Sequence, residues 1–207
     1  MKKTLPDISV IVCAYNHARW IERCLRSILN QNFINKNEYE IILIDDKSTD
    51  ETKLVLEHFQ NLENLRIVKN KKNLGLPKCL NKAIKLSRGR YLIRVDSDDY
   101  VHRNFLFMTK FYLDKNREYQ AVAVDYVQID NYERVISKVN SRKKEIACGI
   151  MYRKECLIDI GLYNEKFKMR EGHEINKRFK KRYKIGRLEM PLYKYRIHQK
   201  NRTKNLK

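Results

Sequence analysis

The chain has 207 residues, enough for one domain or one domain with a small extension, which excludes a multidomain machine. Hydrophobic residues make up 43% and aromatics 10%, with six Gly and three Pro, so the chain can bury a core and is not low-complexity disorder. Lys and Arg total 45 against 25 Asp and Glu, a net charge of +20 that calls for a role in solubility, an anionic partner, or both. Residues 1–100 carry 18 basic and 13 acidic side chains and residues 101–207 carry 27 and 12, which places most of the excess in the second half.

Ile8 to Ala14 is a nearly continuous apolar run, the pattern of a central parallel strand covered on both faces. At eight residues even to Tyr15, it is far short of the ~18 to 20 needed to cross a bilayer. The start, Met1-Lys2-Lys3, imitates a signal-peptide n-region, but Pro6 and Asp7 interrupt it and no small-residue cleavage site follows; the expectation is a cytoplasmic protein without a targeting segment. Trp20, Ile21, Cys24, Leu25, Ile28 and Leu29 then recur at helical steps, with Arg19, Arg23 and Arg26 off the stripe. Glu40 to Ile44 predicts a second strand, Ser48-x-x-Glu51 a capping box, and Leu54 to Phe59 a buried helix face. Leu65 to Val68 predicts a third strand, Leu76 to Leu86 a helix stopped at Gly89, and Tyr91 to Val95 a fourth strand. This alternation predicts βαβ crossovers and a mostly parallel α/β sheet with helices on both faces. Beyond residue 100 the regularity is lost: Phe105–Leu113 reads as a helix, Ala121–Val124 as a strand, and 135–150 as mixed strand and turn. The expected organisation is a single domain with a nucleotide-binding half over 1–100 and a second half over 101–207. Cys13, Cys24, Cys79, Cys148 and Cys156 are odd in number, lack a C-x-x-C pair and sit mostly in apolar patterns, as reduced core thiols do.

Ligands of open parallel sheets bind beyond the carboxyl ends of the strands, so the residues after each strand carry the chemistry. These are Tyr15-Asn16-His17, Asp45-Asp46-Lys47-Ser48 and Asp96-Ser97-Asp98-Asp99. Asp45 and Asp46 suit either a helix-capping loop or acceptors for a base or ribose. Three acids among residues 96–99 repel one another unless a cation compensates. Mg²⁺ or Mn²⁺ held by one or two carboxylates together with substrate phosphates is the natural partner.

Five ordered segments now carry a resemblance: Val10-Ile11-Val12-Cys13-Ala14-Tyr15-Asn16, Ile44 to Asp50, Asn73-Leu74-Gly75-Leu76, Arg88-Gly89-Arg90-Tyr91, and Arg94-Val95-Asp96-Ser97-Asp98-Asp99. Their order and spacing over residues 8–100 resemble the family 2 glycosyltransferases, nucleotide-sugar-dependent enzymes of the GT-A fold. The resemblance implies that Cys13, Tyr15 and Asn16 line the base, that Asp46 reads it with Asp45 in support, and that Asn73 and Lys78 approach the nucleotide. It implies that Asp96 and Asp98 form the D-x-D metal motif, that Asp96 and Ser97 also line the nucleotide, that Asp99 contacts metal or ribose, and that Arg94 leans on a phosphate. Gly161 to Glu165 followed by Glu171-Gly172-His173-Glu174 resembles the acceptor-side region that supplies the base. Many relatives have Glu-Asp where this chain has Glu171-Gly172, which leaves Glu171 or Glu174 for that task; the rival role for Glu174 is a helix-surface partner of Lys177 or Arg178. Tyr195-Arg196-Ile197-His198 resembles a C-terminal motif whose basic groups, Arg196 and His198, close over the diphosphate or the metal.

The implied chemistry is an inverting displacement by an acceptor hydroxyl, with base assistance and charge stabilisation at the leaving diphosphate. The implied acceptor is a saccharide or lipid-linked saccharide in surface polysaccharide or lipopolysaccharide synthesis, with UDP the favoured nucleotide. Residues 177–207 hold thirteen basic side chains and one acid, Glu189, and Arg178 to Lys184 mixes cations with Phe179 and Tyr183. That suits a solvated face or peripheral attachment to an anionic inner membrane surface. A nucleic-acid-binding protein is the rival class on charge alone, without a recognition motif, and a non-catalytic nucleotide-sugar binder is the rival within the family.

Overall fold

The structure is a computed structural model and describes residues 5–199 and 201. The first lysines of the chain and the basic residues at 200, 202, 204 and 207 lie outside the described residues. β1 (Ile8–Ala14) is buried at every position except half-buried Cys13, as its apolar run dictates. It pairs in parallel with β2 (Tyr39–Asp45) on one side and β4 (Tyr91–Arg94) on the other, and β3 (Leu65–Lys69) adds to β2. The register sets Ala14 beside Asp45 and Asp45 beside Lys69, so three strands end along one edge.

Helices α1 (Ala18–Leu29), α2 (Thr52–Glu57) and α3 (Leu76–Leu86) make the crossovers. Ile21, Cys24, Leu25 and Ile28 of α1 pack with Ile8, Val10 and Val12 on one face, and Cys79, Leu80, Ala83 and Ile84 of α3 pack with Ile11, Ile42 and Ile44 on the other. Burying each such aliphatic side chain is worth about 1.5–3 kcal/mol, so the alternation along the strands fixes which helix covers which face. Ser48 does not form the expected capping box. It accepts from the Asn16 amide at 3.0 Å, and α2 starts only at Thr52, where Asp50 bonds the Thr52 amide at 3.0 Å. Gly89 does more than stop a helix: a Cβ there would lie 2.6 Å from the Ser9 nitrogen and 2.7 Å from the Ile8 carbonyl carbon. Only glycine lets β4 enter so close to β1.

The second half completes the same sheet. It supplies β5 (Tyr100–Val101), α4 (Phe105–Lys115), β6 (Ala121–Ile129), β7 (Val135–Val139), β8 (Ile150–Arg153), α5 (Lys154–Asp159), α6 (Glu171–Lys180) and β9 (Ile185–Arg196). The order is β3-β2-β1-β4-β8-β6-β9-β5, with β7 on β6. β8 runs antiparallel to both β4 and β6, while β9 is parallel to β6 and antiparallel to β5, so the parallel block passes into a mixed region. Part of the basic C-terminal segment is strand β9. Twelve residues of that segment are a strand, and its Pro191 sits opposite Asp125 where the pairing shifts register, a place where a missing amide is tolerated. Phe179 is fully buried, Lys180 pairs with Glu145, and Arg182 pairs with Asp159, so much of the mixed cation and aromatic segment serves the fold. The five cysteines are free thiols, four of them buried. Among the described residues no helix is long and apolar enough to cross a membrane.

Candidate active site

The loops beyond β1, β2 and β3 hold one another. Asn16 adopts a left-handed conformation (φ 57°), and its Oδ1 accepts from the Thr49 amide at 2.8 Å. An Asn tolerates that backbone where most side chains do not. Tyr15 beside it is 46% exposed and faces solvent. Asp46 accepts three bonds of 2.8 Å, from Asn70 Nδ2 and the Leu74 and Gly75 amides. Burial raises its pKa, but the Leu74, Asn70 and Gly75 bonds outweigh that and hold the carboxyl below its ordinary value. Asp46 therefore braces the loop before α3 in this structure, whereas buried Asp45 accepts from the Ser48 amide at 3.1 Å at the strand edge. Asn73 and Lys78 are exposed on that loop and the first turn of α3. Burial first, then Cys79, pushes the Cys13 thiol well up, so it is a neutral wall rather than a reactive group.

The acids after β4 have three different environments. Asp96 takes Arg94 Nε at 2.6 Å and Arg94 Nη2 at 3.2 Å, one on each oxygen. Ser97 is buried, donates to the Cys13 carbonyl at 2.8 Å and lies 2.6 Å from His17 Nδ1. Asp98 Oδ2 lies 2.9 Å from His198 Nε2. Burial acts against the charge of Asp98, but the His198 bond and the nearby imidazoles lower its pKa overall. Asp99 is 2% exposed and accepts from Tyr193 Oη at 2.8 Å and the Arg196 amide at 2.7 Å. Burial, then the Asp98 and Asp96 charges, pushes its carboxyl well above the usual range.

The carboxylates of this segment are the donors that suit a hard divalent cation. Asp96, Asp99 and Cys148 bring one ligand atom each within 4.8 Å of one another. Cys148 itself is held protonated, burial first and then Asp96 and Asp99 pushing its thiol far up, and both Asp99 oxygens are engaged. Asp96 and Asp98 are the more accessible pair, with side chains 26% and 14% exposed. His198 adds a second sign: its ring packs 4.2 Å from Trp20, and its Nδ1 is buried with no hydrogen-bond partner among the described residues.

Arg94 and Arg196 do not point at open space. Arg94 is 8% exposed and, beyond Asp96, donates through Nη1 to Glu171 Oε1 at 3.1 Å. Arg196 donates to the Asp98 and Asp130 carbonyls at 2.9 and 3.1 Å and pairs with Glu133 at 3.3 Å. It locks β9 over the acid loop instead of offering a free guanidinium. Glu171 opens α6 and is buried beside Arg94, within the site. Glu174 is drawn to the helix side by Arg178, which also binds the Leu162 carbonyl, so the structure does not bring it to the acids. Gly172 has no room for a side chain: its Cβ would lie 2.0 Å from Ala147 Cβ and 2.9 Å from Ala147 Cα. The missing Asp at this position is thus matched by the loop that packs on it. Sequence reasoning missed Trp20, Tyr193 and Ala147 because each reads as an ordinary core or loop residue; it named His17 without a role at Ser97.

The sheet thus carries loops beyond β1, β2 and β3 that brace one another, an acid cluster after β4 and a further carboxylate at the head of α6. Residues 9–189 match the family model of glycosyl transferase family 2, and the chain belongs to that family. An uncharacterized glycosyltransferase of Haemophilus influenzae is 38% identical over 125 residues, 60% of this chain and 38% of that protein. TarS of Staphylococcus aureus, a poly(ribitol-phosphate) β-N-acetylglucosaminyltransferase, is 37% identical over 109 residues, 52% of this chain and 19% of that one. The chain thus spans well under half the length of these two relatives. Residues 1–349 of TarS in complex with UDP-GlcNAc superpose with a TM-score of 0.83 at 24% identity, covering 97% of this chain and 61% of that one, which shows the fold to be GT-A. A mannosyltransferase from Pyrobaculum calidifontis in complex with GDP-Man and Mn²⁺ shares the fold at a TM-score of 0.74 and 17% identity, over 96% of this chain and 59% of that one.

Proposed function

We propose that this chain transfers a hexosyl unit from a nucleoside diphosphate sugar, with UDP favoured, to a hydroxyl of a saccharide or lipid-linked saccharide, with inversion. Surface polysaccharide or lipopolysaccharide synthesis is the setting in this reading. The observation that carries it is the acid segment 96–99 at the end of β4, with Asp98 bonded to His198 and Asp96 joined through Arg94 to Glu171, in a chain of this family. The UDP preference comes from TarS, whose structure holds UDP-GlcNAc.

Asp96 and Asp98, with His198 beside Asp98, would hold Mg²⁺ or Mn²⁺. The bound ion would act as a Lewis acid for charge developing on the diphosphate. Tyr15, Asn16 and Asp45 form the wall for the base, with Asp46 fixing the adjoining loop. Asn73 and Lys78 approach the nucleotide from α3, and Lys78 is the exposed cation there for a phosphate. Glu171 accepts the proton of the acceptor hydroxyl, and Arg94 fixes its orientation. A cytoplasmic protein resting on an anionic inner membrane surface through exposed Lys177, Lys181 and Lys184 belongs to the same reading. Co-flotation with anionic vesicles at low salt is expected, and failure to float removes that part.

The test is release of nucleoside diphosphate from UDP-, GDP- and dTDP-sugars in the presence of an acceptor saccharide mixture, with the product anomer read by NMR. One donor class should be consumed with inversion, and E171Q should lower kcat by about 10²-fold or more. A second reading, donor binding without transfer, is favoured by the closed Gly172–Ala147 contact and the pairing of Glu171 with Arg94. Binding of a donor with no turnover under any acceptor would establish it.

A further inference from the structure

Arg94 links two sites that the chemistry keeps apart. Its guanidinium chelates both oxygens of Asp96 through Nε and Nη2 at 2.6 and 3.2 Å, and its remaining Nη1 holds Glu171 Oε1 at 3.1 Å. Arg94 and Glu171 are each 8% exposed at the side chain, so water screens neither charge well. A fork on a carboxylate is the strongest common form of this contact, and it fills the oxygens that a cation at Asp96 needs.

We propose that Arg94 is a built-in counter-ion occupying the cation position at Asp96, so that it sets the affinity for the divalent ion and shifts towards Glu171 when that ion arrives. This rests on the reading of Asp96 and Asp98 as the cation site. One positive charge is shared between the Asp96 and Glu171 carboxylates. An ion on Asp96 competes with the fork for the same oxygens, and Glu171 provides the guanidinium with somewhere to remain paired. Arg94 is then a positioning residue: it holds Asp96 in a fixed orientation before the donor arrives and holds Glu171 afterwards. All three nitrogens of this guanidinium are bonded to carboxylates.

The chain's one tryptophan makes this measurable without turnover. Trp20 packs 4.2 Å from His198, whose Nε2 is 2.9 Å from Asp98, so paramagnetic Mn²⁺ bound at the acids quenches its fluorescence. Mn²⁺ titrations, with and without UDP, would be run on the wild type, R94K and R94M/E171Q, each checked for folding by circular dichroism. R94K keeps the charge but cannot chelate both oxygens, and it should bind Mn²⁺ severalfold more tightly without UDP. R94M/E171Q removes one charge of each sign and avoids leaving a buried Glu171 unpaired, and it should bind about tenfold more tightly. Unchanged or weaker Mn²⁺ binding in both folded variants overturns the proposal, as does weaker UDP binding in R94K without metal, which would return Arg94 to a phosphate contact. If R94M/E171Q does not fold, R94K alone decides. No quenching of the wild type even with UDP would sink the cation-site reading and this proposal with it, whereas normal quenching with insensitive variants sinks this proposal alone.

Discussion

Asp46 and Gly172 show how one side chain, or the lack of one, shapes the site. Asp46 has a depressed pKa in the fold, so its ionised form contributes stability above its ordinary value of 3.8, and that contribution is lost as pH falls through the lower folded value. D46N should cost about 1–3 kcal/mol at neutral pH, because one of three donors loses its acceptor, and should flatten the fall of stability below pH ~4. Urea unfolding at pH 7 and pH 3 checks both effects; equal pH slopes in mutant and wild type would contradict it. At Gly172 even a methyl group meets Ala147, and G172A should destabilise by about 1–3 kcal/mol, with A147G restoring part of the loss. A double variant no more stable than G172A alone would show that the contact is not the cause. The residues of the site were legible to different degrees. Asp96 and Asp98 stood out because three acids directly after a buried strand have few structural uses. The tasks of Arg94 and Arg196 did not, since a cation in sequence does not disclose which long-range partner it meets, whereas Glu174 meets Arg178 four residues on, one of the two local partners its spacing offers.

At the level of elements, the first four strands and three crossover helices follow from their apolar periods, because strands buried on both faces and one-sided helices leave strong patterns. The second half was read less well. β9 contains Gly186, Pro191 and several charges that argue against a strand, and only its neighbours β6 and β5 make it one. The placement of β4, and with it the acid loop, depends on Gly89 lying against β1. G89A should therefore lower stability by about 1–3 kcal/mol or more, since backbone atoms and not a flexible side chain stand in the way. It should also weaken nucleotide binding, which would separate it from a remote core substitution of equal cost. Nucleotide affinity unchanged in a destabilised G89A would show that the strand seating does not control the site.

Across the whole molecule Arg88 pairs with Glu40, Arg90 with Asp7, Arg187 with Asp125 and Arg196 with Glu133, so these cations serve the fold, while the net charge of +20 is the excess left after every acid is counted. A ligand bound only by the folded state raises stability by mass action, about 2.7 kcal/mol at a hundredfold excess over Kd. For a chain of this size that is a Tm rise of about 5–10 °C with Mn²⁺ and the cognate nucleoside diphosphate together, removed by EDTA. A rise that survives EDTA would count against a cation in the site.

The most direct measurement is calorimetric titration with UDP, GDP and dTDP, with and without Mn²⁺, on the wild type and D98A. The account predicts that one diphosphate, UDP first, binds in a Mn²⁺-dependent manner and that D98A abolishes the dependence. Binding to none of the three by folded wild-type protein, or Mn²⁺-dependent binding that D98A leaves intact, would contradict it.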